Sequence, residues 1–438
     1  MKIALIDVPY RNRESINKDV NGGYGTITSV GNSPFARLIE YMKKSNVKLP
    51  LISFGYLAAI FSKKGFDVYF KTNENLAPDT NIVIIYGSMV GSKSEIEFAK
   101  KLKKRYPDCS IGFIGPFPSS KPELFIEHCD FIINGEPEQV ALNATEKWKP
   151  EGIIKSKFVE DLDSLPFPKW DIFPHSKFSY FPVIKEKPFS VIQSSRGCSF
   201  SCGYYCPYVA AQGNKLRHRS ISSVIEEIKY LKRKFNVKGF LFRDPLFSSN
   251  IKRAGDIAQA IIDNNLNVKW ACETRLDLLN KSLIDLFYAA GLRSINVGIE
   301  SQDEEVLRKS QRKSIKKVHQ EEIISYCDKK GIKISAFYML GLESDTKKSI
   351  MKTINYAKKL NTHVAQFTIT TPIPGTPFYE DFKDKVTTND FEKYSNYNLV
   401  FEHSNLSEKE LMKLKEKAFV SYYFRPRYMF SFFKRMFF

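Results

Sequence analysis

The sequence contains no run of eighteen uncharged apolar residues, which argues against a membrane-spanning helix of ordinary length. A strand pattern starts at Lys2 and leaves no room for a secretory leader, so the cytoplasm is the expected compartment. A peripheral place at the inner membrane surface is the alternative. Internal repeats and low-complexity tracts are also missing, which argues against a repeat architecture. Acidic residues are in short supply. Against 67 lysines and arginines stand 48 acids, and the net charge of +19 suits nucleic acid, phosphorylated metabolites or an acidic membrane without selecting among them. Much of the excess sits on stretches such as Lys100-Lys101-Leu102-Lys103-Lys104-Arg105, which read as solvated helix faces. An odd total of seven cysteines with no export signal argues for thiols or metal ligands rather than a disulfide framework.

What is present is a chain long enough for two cores, read as residues 1–150, a linker over 151–187, a second domain over 188–385 and a helical extension over 386–438. The first part alternates short apolar runs with amphipathic stretches: Lys2 to Val8, Phe54 to Lys64, Asp67 to Phe70, Ile82 to Tyr86, Glu95 to Tyr106, Ser110 to Ile114, a helix near Pro122 to His128, and Phe131 to Ile133. Five strands in this βα rhythm predict a doubly wound, Rossmann-like parallel sheet. Gly87 and Gly115 stand just past strands, where a ligand can approach the sheet edge closely or where a plain turn needs them. Pro166, Pro168, Pro174, Pro182 and Pro188 then break the pattern. A second βα series follows with strands at Phe189–Gln193, Gly239–Phe242, Lys269–Thr274, Ser294–Gly298, Lys333–Leu340 and Val364–Thr370. Six units predict a partial TIM-type (β/α)6 barrel, with Asp244, Glu273, Glu300 and Gly341 converging past the strand ends on one cavity.

The first of these strands runs into Ser195-Arg196-Gly197-Cys198-Ser199-Phe200-Ser201-Cys202-Gly203-Tyr204-Tyr205-Cys206-Pro207-Tyr208, three cysteines within nine positions of one loop. Three thiolates are an unusual ligand set. A structural zinc site wants four ligands, here requiring His218 as the fourth, whereas a 4Fe-4S cubane held by three cysteines keeps one iron open to an exogenous chelator. Reactive or structural thiols are the third reading. Cys109, Cys129, Cys272 and Cys327 lie singly among apolar residues and read as core.

This loop resembles the cluster loop of radical S-adenosylmethionine (SAM) enzymes. The spacing departs from the family's by one residue, with Tyr204-Tyr205 where one aromatic residue is expected; the flanking Arg196-Gly197, Pro207-Tyr208, Gln212-Gly213, Arg217, Arg219 and Ser220 fit the family. Similar segments follow at Phe242 to Phe247, Cys272 to Asp277, Ile295 to Ser301, Phe337 to Leu342 and Thr371 to Pro377. The resemblance implies that Cys198, Cys202 and Cys206 bind the cluster. It further implies that Asp244 holds the SAM amino group, that Glu273, Arg275, Glu300 and Ser301 contact its carboxylate or ribose, that Tyr205 meets the adenine, and that Tyr208 is a further cofactor-binding residue. The first domain resembles the cobalamin-binding module of one branch of the family. Ser88, Met89 and Gly115 would flank the nucleotide tail, and Gly135-Glu136 matches the last loop, although Pro116 replaces the second glycine of the usual pair. No histidine motif for a lower cobalt ligand is present, since His128 falls inside a helical stretch.

The implied activity is reductive SAM cleavage to a 5′-deoxyadenosyl radical, with cobalamin-dependent methylation of an unactivated carbon in a small-molecule or lipid substrate, anionic if the charge is a guide. An external electron donor is implied. Cyclisation or rearrangement without methyl transfer is the alternative. An RNA-modifying protein is a different class, but no nucleic-acid module is visible; a cobalamin sensor with a vestigial barrel is another. The tail Tyr422 to Phe438 carries Arg425, Arg427, Lys434 and Arg435, nine aromatics and no acid. It reads either as a membrane-interface segment or as a helix packed across the barrel mouth.

Overall fold

The apolar runs of the first third have no polar face to offer water, and they pair as a sheet covered on both sides. In the computed structural model, which describes residues 1–10 and 16–437, Lys2–Ile6 (β1), Asp67–Lys71 (β2), Thr80–Tyr86 (β3), Ser110–Ile114 (β4), Phe131–Asn134 (β5) and Gly152–Lys155 (β6) lie in the order β2-β1-β3-β4-β5-β6. Every neighbouring pair is parallel, as helical cover on both faces requires. Ile52–Lys63 (α1) is buried along most of its length, whereas Ser92–Arg105 (α2) turns Ala99 and Leu102 inward and leaves most of its lysines outside. The strand order reverses between β1 and β3, and doubly wound sheets hold ligands beyond the carboxyl ends at such a point.

Two expectations change. The sheet has six strands rather than five, because Gly152–Lys155 from the expected linker pairs along β5; four residues ahead of a proline-rich stretch carry too little pattern to be read as a strand. The helix expected near Pro122–His128 is two 3-10 turns, Pro122–Leu124 and Ile126–His128, after a short helix at Pro116–Ser120. The remainder of 156–187 is irregular, as its prolines demand, yet it is built into the core. Trp170 is fully buried and donates its indole N–H to Glu227 at 3.1 Å, and Ser179–Tyr180 pairs with Val47–Lys48.

The second sheet consists of Phe189–Ile192 (β7), Gly239–Phe242 (β8), Lys269–Thr274 (β9), Leu292–Glu300 (β10), Lys333–Leu340 (β11) and Val364–Ile369 (β12), parallel and in chain order. The connecting helices include Ile221–Phe235 (α3), Ile251–Asp263 (α4), Lys281–Ala289 (α5), Lys317–Lys329 (α6) and Lys347–Leu360 (α7). Side chains of Ser220, Asn250, Asn280 and Thr346 cap the first turns of four of them, and Asn236 and Asn361 close two in the left-handed conformation. β7 and β12 do not pair, so the barrel stays open. Glu408–Tyr423 (α8) covers the β12 edge, with Phe419 against Phe367 at 5.3 Å between ring centroids.

Pro426–Phe437 (α9) follows. It does not cross the barrel mouth. Its Tyr428 is buried and donates to the carbonyl of His363, which precedes β12, so the helix crosses the end where the strands begin. Met429 and Phe430 remain exposed. Phe438 lies outside the described residues. Among those residues no helix is long and apolar enough to cross a membrane.

Candidate active site

The chain leaves β7 through Gln193 and Ser194, and the two-residue strands Ser195–Arg196 and Arg217–His218 pair antiparallel. This pairing pinches off the cysteine loop as a lobe with fixed ends. Gly197 makes the pinch feasible: its φ is +85°, and a Cβ there would come within 2.1 Å of the Lys215 carbonyl. Within the lobe, the Cys198 N–H donates to Gly213 at 3.1 Å and the Cys206 N–H to Cys202 at 3.0 Å. The extra residue of the loop is absorbed by a 3-10 turn at Ser201–Tyr204. It also sorts the two tyrosines. Tyr204 turns outward and donates to Asp381 at 2.9 Å, whereas Tyr205 turns inward beside Glu300 and Arg312.

Cys198, Cys202 and Cys206 are all partly exposed free thiols. Burial raises the pKa of Cys198 and of Cys206, and the neighbouring Cys202 adds to both. Bringing three such groups together without a disulfide makes sense when cations neutralise the thiolates. No three His, Cys, Asp or Glu side chains among the described residues stand close enough to share one ion. A mononuclear zinc site needs its sulfurs on one metal at about 2.3 Å, while a cubane offers each cysteine a different iron and so accepts a wider triangle. His218, the fourth zinc ligand considered from the sequence, sits between Arg253 and Asp244 instead. Cys109, Cys129, Cys272 and Cys327 are buried.

Arg312 is the residue that the sequence did not reveal. Its guanidinium lies beside the Cys202 sulfur and donates to the Gly298 carbonyl at 3.0 Å, with the Glu300 carboxylate at 3.5 Å. Glu300 itself has φ of +64°, an unfavourable backbone for a non-glycine residue that aims its side chain toward the cysteine lobe. Burial raises its pKa, with Arg312 and Arg275 opposing. The Tyr205 hydroxyl nearby is buried with no hydrogen-bond partner among the described residues. A thiol triangle, an arginine on one thiol and an orphaned phenol fit a cluster with a polar cofactor beside it.

The other expected contacts divide. Arg275 forms a two-point pair with Asp277 at 2.8 and 2.9 Å and stacks on Phe200 of the cysteine loop. Glu273 pairs with Arg243 at 2.6 Å, and Arg243 reaches Asp19 at 2.7 Å and the Tyr208 hydroxyl at 3.2 Å. Asp244 is not available to a ligand. It accepts from the Ser194 N–H at 2.6 Å and from the Ser194 and Ser195 hydroxyls at 2.5 and 2.8 Å, and it is fully buried. Its place past β8 puts it under the loop that follows β7, where it anchors the root of the cysteine lobe. Ser301 is likewise committed, accepting from the Asp303 N–H and contacting Thr353. The Gly341 N–H donates to Asp345, and this glycine faces Leu411 of α8.

A cavity of about 310 Å³ opens where the carboxyl ends of the first sheet face the cysteine lobe. Gly115 and Gly135 line it from one side, Tyr208 and Gln212 from the other, with Arg196 and Arg243 between them. Both glycines have positive φ, and a Cβ would meet the Gly87 carbonyl at 2.7 Å or the Ser156 carbonyl at 2.4 Å. Both glycines are thus demanded by the close approach of neighbouring backbone at the cavity's edge. Ser88 and Met89 do not reach it. Glu95 accepts both the N–H and the hydroxyl of Ser88 at 2.7 Å and pairs with Lys18 at 3.0 Å, and the Met89 N–H donates to Tyr24. The segment around Lys18 to Tyr24 therefore covers them. No histidine lines the cavity among the described residues. The two arginines that do are paired with Glu138 and Asp19, so an anionic substrate finds no spare cation there.

A three-cysteine lobe at the carboxyl end of the first strand of an open six-stranded barrel defines a radical SAM site, and residues 192–357 match the radical SAM superfamily. That match covers the cysteine lobe and most of the second sheet, and residues 1–191 lie outside it. The chain is 27% identical over 372 residues to an uncharacterized methyltransferase of Pyrococcus horikoshii, covering 80% of each chain. It is 24% identical over 373 residues to the bacteriochlorophyllide d C-12(1)-methyltransferase of Chlorobaculum tepidum, covering 82% of this chain and 79% of the relative. The solved structure of the cobalamin-dependent SAM radical enzyme OxsB, with aqua-cobalamin and SAM bound, superposes with a TM-score of 0.69 at 13% identity, covering 99% of this chain and 70% of that one. The likeness to OxsB shows a shared fold.

Proposed function

We propose that this chain is a cobalamin-dependent radical SAM methyltransferase acting on a small molecule held between the cysteine lobe and the carboxyl edge of the first sheet. The observation that carries the reading is the cavity that both halves line. When bound, the cluster supplies the electron that cleaves SAM to a 5′-deoxyadenosyl radical, and cobalamin carries the methyl group that replaces the abstracted hydrogen.

The chain's own residues hold and enclose that chemistry. Cys198, Cys202 and Cys206 are the cluster ligands, and Arg312 fixes Cys202. Tyr205 and Glu300 would adjoin the cluster on the side that SAM occupies, and Arg275 steadies Phe200 of the same loop. Residues 1–150 together with β6 would hold cobalamin at the cavity that Gly115 and Gly135 line. Buried pairs seal the joint between the halves: Arg196 with Glu138 at 2.9 Å, and Arg217 with Glu136 at 2.8 Å. Excluding water there protects a carbon radical. An external donor supplies electrons. The exposed Met429 and Phe430 on the basic helix α9 form a peripheral membrane contact that suits a lipid-derived substrate.

Anaerobic reconstitution with iron, sulfide and hydroxocobalamin, followed by reduction with SAM present, tests the reading by chromatography of the nucleoside products. Formation of both 5′-deoxyadenosine and S-adenosylhomocysteine supports methyl transfer. Formation of 5′-deoxyadenosine alone points to cyclisation or rearrangement. Folded protein that forms neither is not a radical SAM enzyme.

A further inference from the structure

At the end of the barrel opposite the cysteine lobe, a second cavity of about 260 Å³ lies between α6, the turn from α7 into β12, and α9. His363 lines it. This side chain is only 1% exposed, yet neither ring nitrogen has a hydrogen-bond partner among the described residues. The carbonyl of Pro182, which accepts from the Lys333 ammonium at 3.1 Å, faces one edge of the ring and leaves the other edge to the cavity. Burial, reinforced by Lys333 and Arg435, takes the imidazole pKa down to about 3, so the ring is neutral and carries one N–H donor.

Arg435 of α9 lines the same space. It donates through Nε to Asp328 at 2.8 Å and through Nη2 to the Asn361 carbonyl at 2.9 Å, while its Nη1 is buried without a partner. Arg427, one face along, is exposed and has no ion pair or hydrogen bond among the described residues. The lining carries three cations, Lys359, Arg427 and Arg435, against two carboxylates, Glu321 and Asp328. Lys359 is matched by Glu321 and Arg435 by Asp328, which leaves the charge of Arg427 uncompensated.

An unsatisfied buried donor costs about 1–3 kcal/mol, and here the Arg435 Nη1 has no partner at a cavity that also holds a buried imidazole without a close hydrogen bond and a free arginine. We propose that this cavity binds a phosphate group, which accepts from Arg427, from Nη1 of Arg435 and from the His363 ring. Phosphate offers more acceptor oxygens than a carboxylate, and arginine forks match its geometry. The phosphate belongs either to a soluble phosphorylated metabolite or to a phospholipid headgroup presented beside the exposed Met429 and Phe430. The site is remote from the cysteine lobe and does not depend on the proposed methyl transfer.

The test is calorimetric titration of the reconstituted full chain with inorganic phosphate, in parallel with sedimentation on phosphatidylglycerol and phosphatidylcholine vesicles. Saturable phosphate binding that weakens about tenfold or more in Arg427→Gln, with an unchanged thermal unfolding midpoint, supports the site. His363→Phe keeps the stacking on Phe432 and removes the ring nitrogens, and it too should weaken binding. Phosphatidylglycerol vesicles that retain the wild type, release it with free phosphate and fail to retain Arg427→Gln assign the headgroup; phosphate binding without vesicle binding assigns a soluble ligand. The proposal is overturned if phosphate fails to bind up to about 10 mM, which would leave water as the occupant, or if it binds equally to wild type and both variants.

Discussion

The Arg217 guanidinium closes on the Glu136 carboxylate through both terminal nitrogens, at 2.8 and 2.9 Å. Glu136 belongs to the loop after β5 and Arg217 to the strand that pinches the cysteine lobe, so one ion pair couples the two halves at the root of the site. Burial works against the Glu136 charge, but Arg196 and Arg217 outweigh it and hold its pKa below the usual carboxylate range.

Removing one partner of a buried pair strands the other. Glu136→Ala should therefore destabilise the chain by about 3 kcal/mol and lower the iron taken up on reconstitution. The exposed pair Lys215–Glu160, close to the same anchor but open to solvent, is the control; Glu160→Ala should leave stability and iron content unchanged. Urea unfolding and iron analysis of the two variants check both statements. Equal iron content in Glu136→Ala and wild type would show that the lobe does not need this anchor.

The three cysteines of the lobe and the four in the core should respond differently. Cys202→Ala removes a cluster ligand held by Arg312, and the charge-transfer absorption of the reconstituted protein should be lost. Cys272 is fully buried in β9, and Cys272→Ala should retain the absorption in full. Visible spectra of both proteins, prepared side by side without oxygen, decide the matter.

The strands were readable because continuous apolar runs have few alternatives in a parallel sheet, and the cysteine lobe was readable because its spacing is local. What escaped the sequence depends on partners far along the chain. Arg312 sits in Ser310-Gln311-Arg312-Lys313, a stretch that reads as solvated until β10 and the lobe fold around it. Asp244 stands at a strand end, where a ligand contact is a fair expectation, but two serines fifty residues earlier consume both oxygens. Ser88 is withdrawn from the cavity by Glu95 on the next helix. Asp19 could have been suspected, since Asp19-Val20-Asn21-Gly22-Gly23 is a glycine-rich loop after the first strand, and its pairing with Arg243 brings it to the cavity.

Cobalamin binding can be separated from cluster chemistry by filling the cavity from the first domain. Ser53, at the start of α1, lines the cavity and touches no cysteine. Ser53→Trp should occupy much of the 310 Å³ and abolish hydroxocobalamin uptake while cluster absorption stays intact. Gel filtration with added cobalamin, read in the visible, gives the result. Full retention of the corrin by the variant would place cobalamin elsewhere.

Lys415 of α8 joins the extension to the first domain by donating to the carbonyls of Ser29 and Tyr397, both at 2.7 Å. Burial lowers its pKa from 10.5 to about 8, with Glu40 and Glu416 opposing. Because the folded value is the lower one, the unfolded chain binds more protons between about 8 and 10.5, and stability rises with pH across that window. Below about 8 both states hold the proton and the contribution is flat. A shift of this size corresponds to roughly 3 kcal/mol over the full window. Urea unfolding of wild type and Lys415→Met across the window isolates the contribution from that of other lysines and tyrosines: the difference in stability between the two proteins should move in favour of the wild type as pH rises. A difference that stays constant would mean that Lys415 keeps an ordinary pKa in the folded protein.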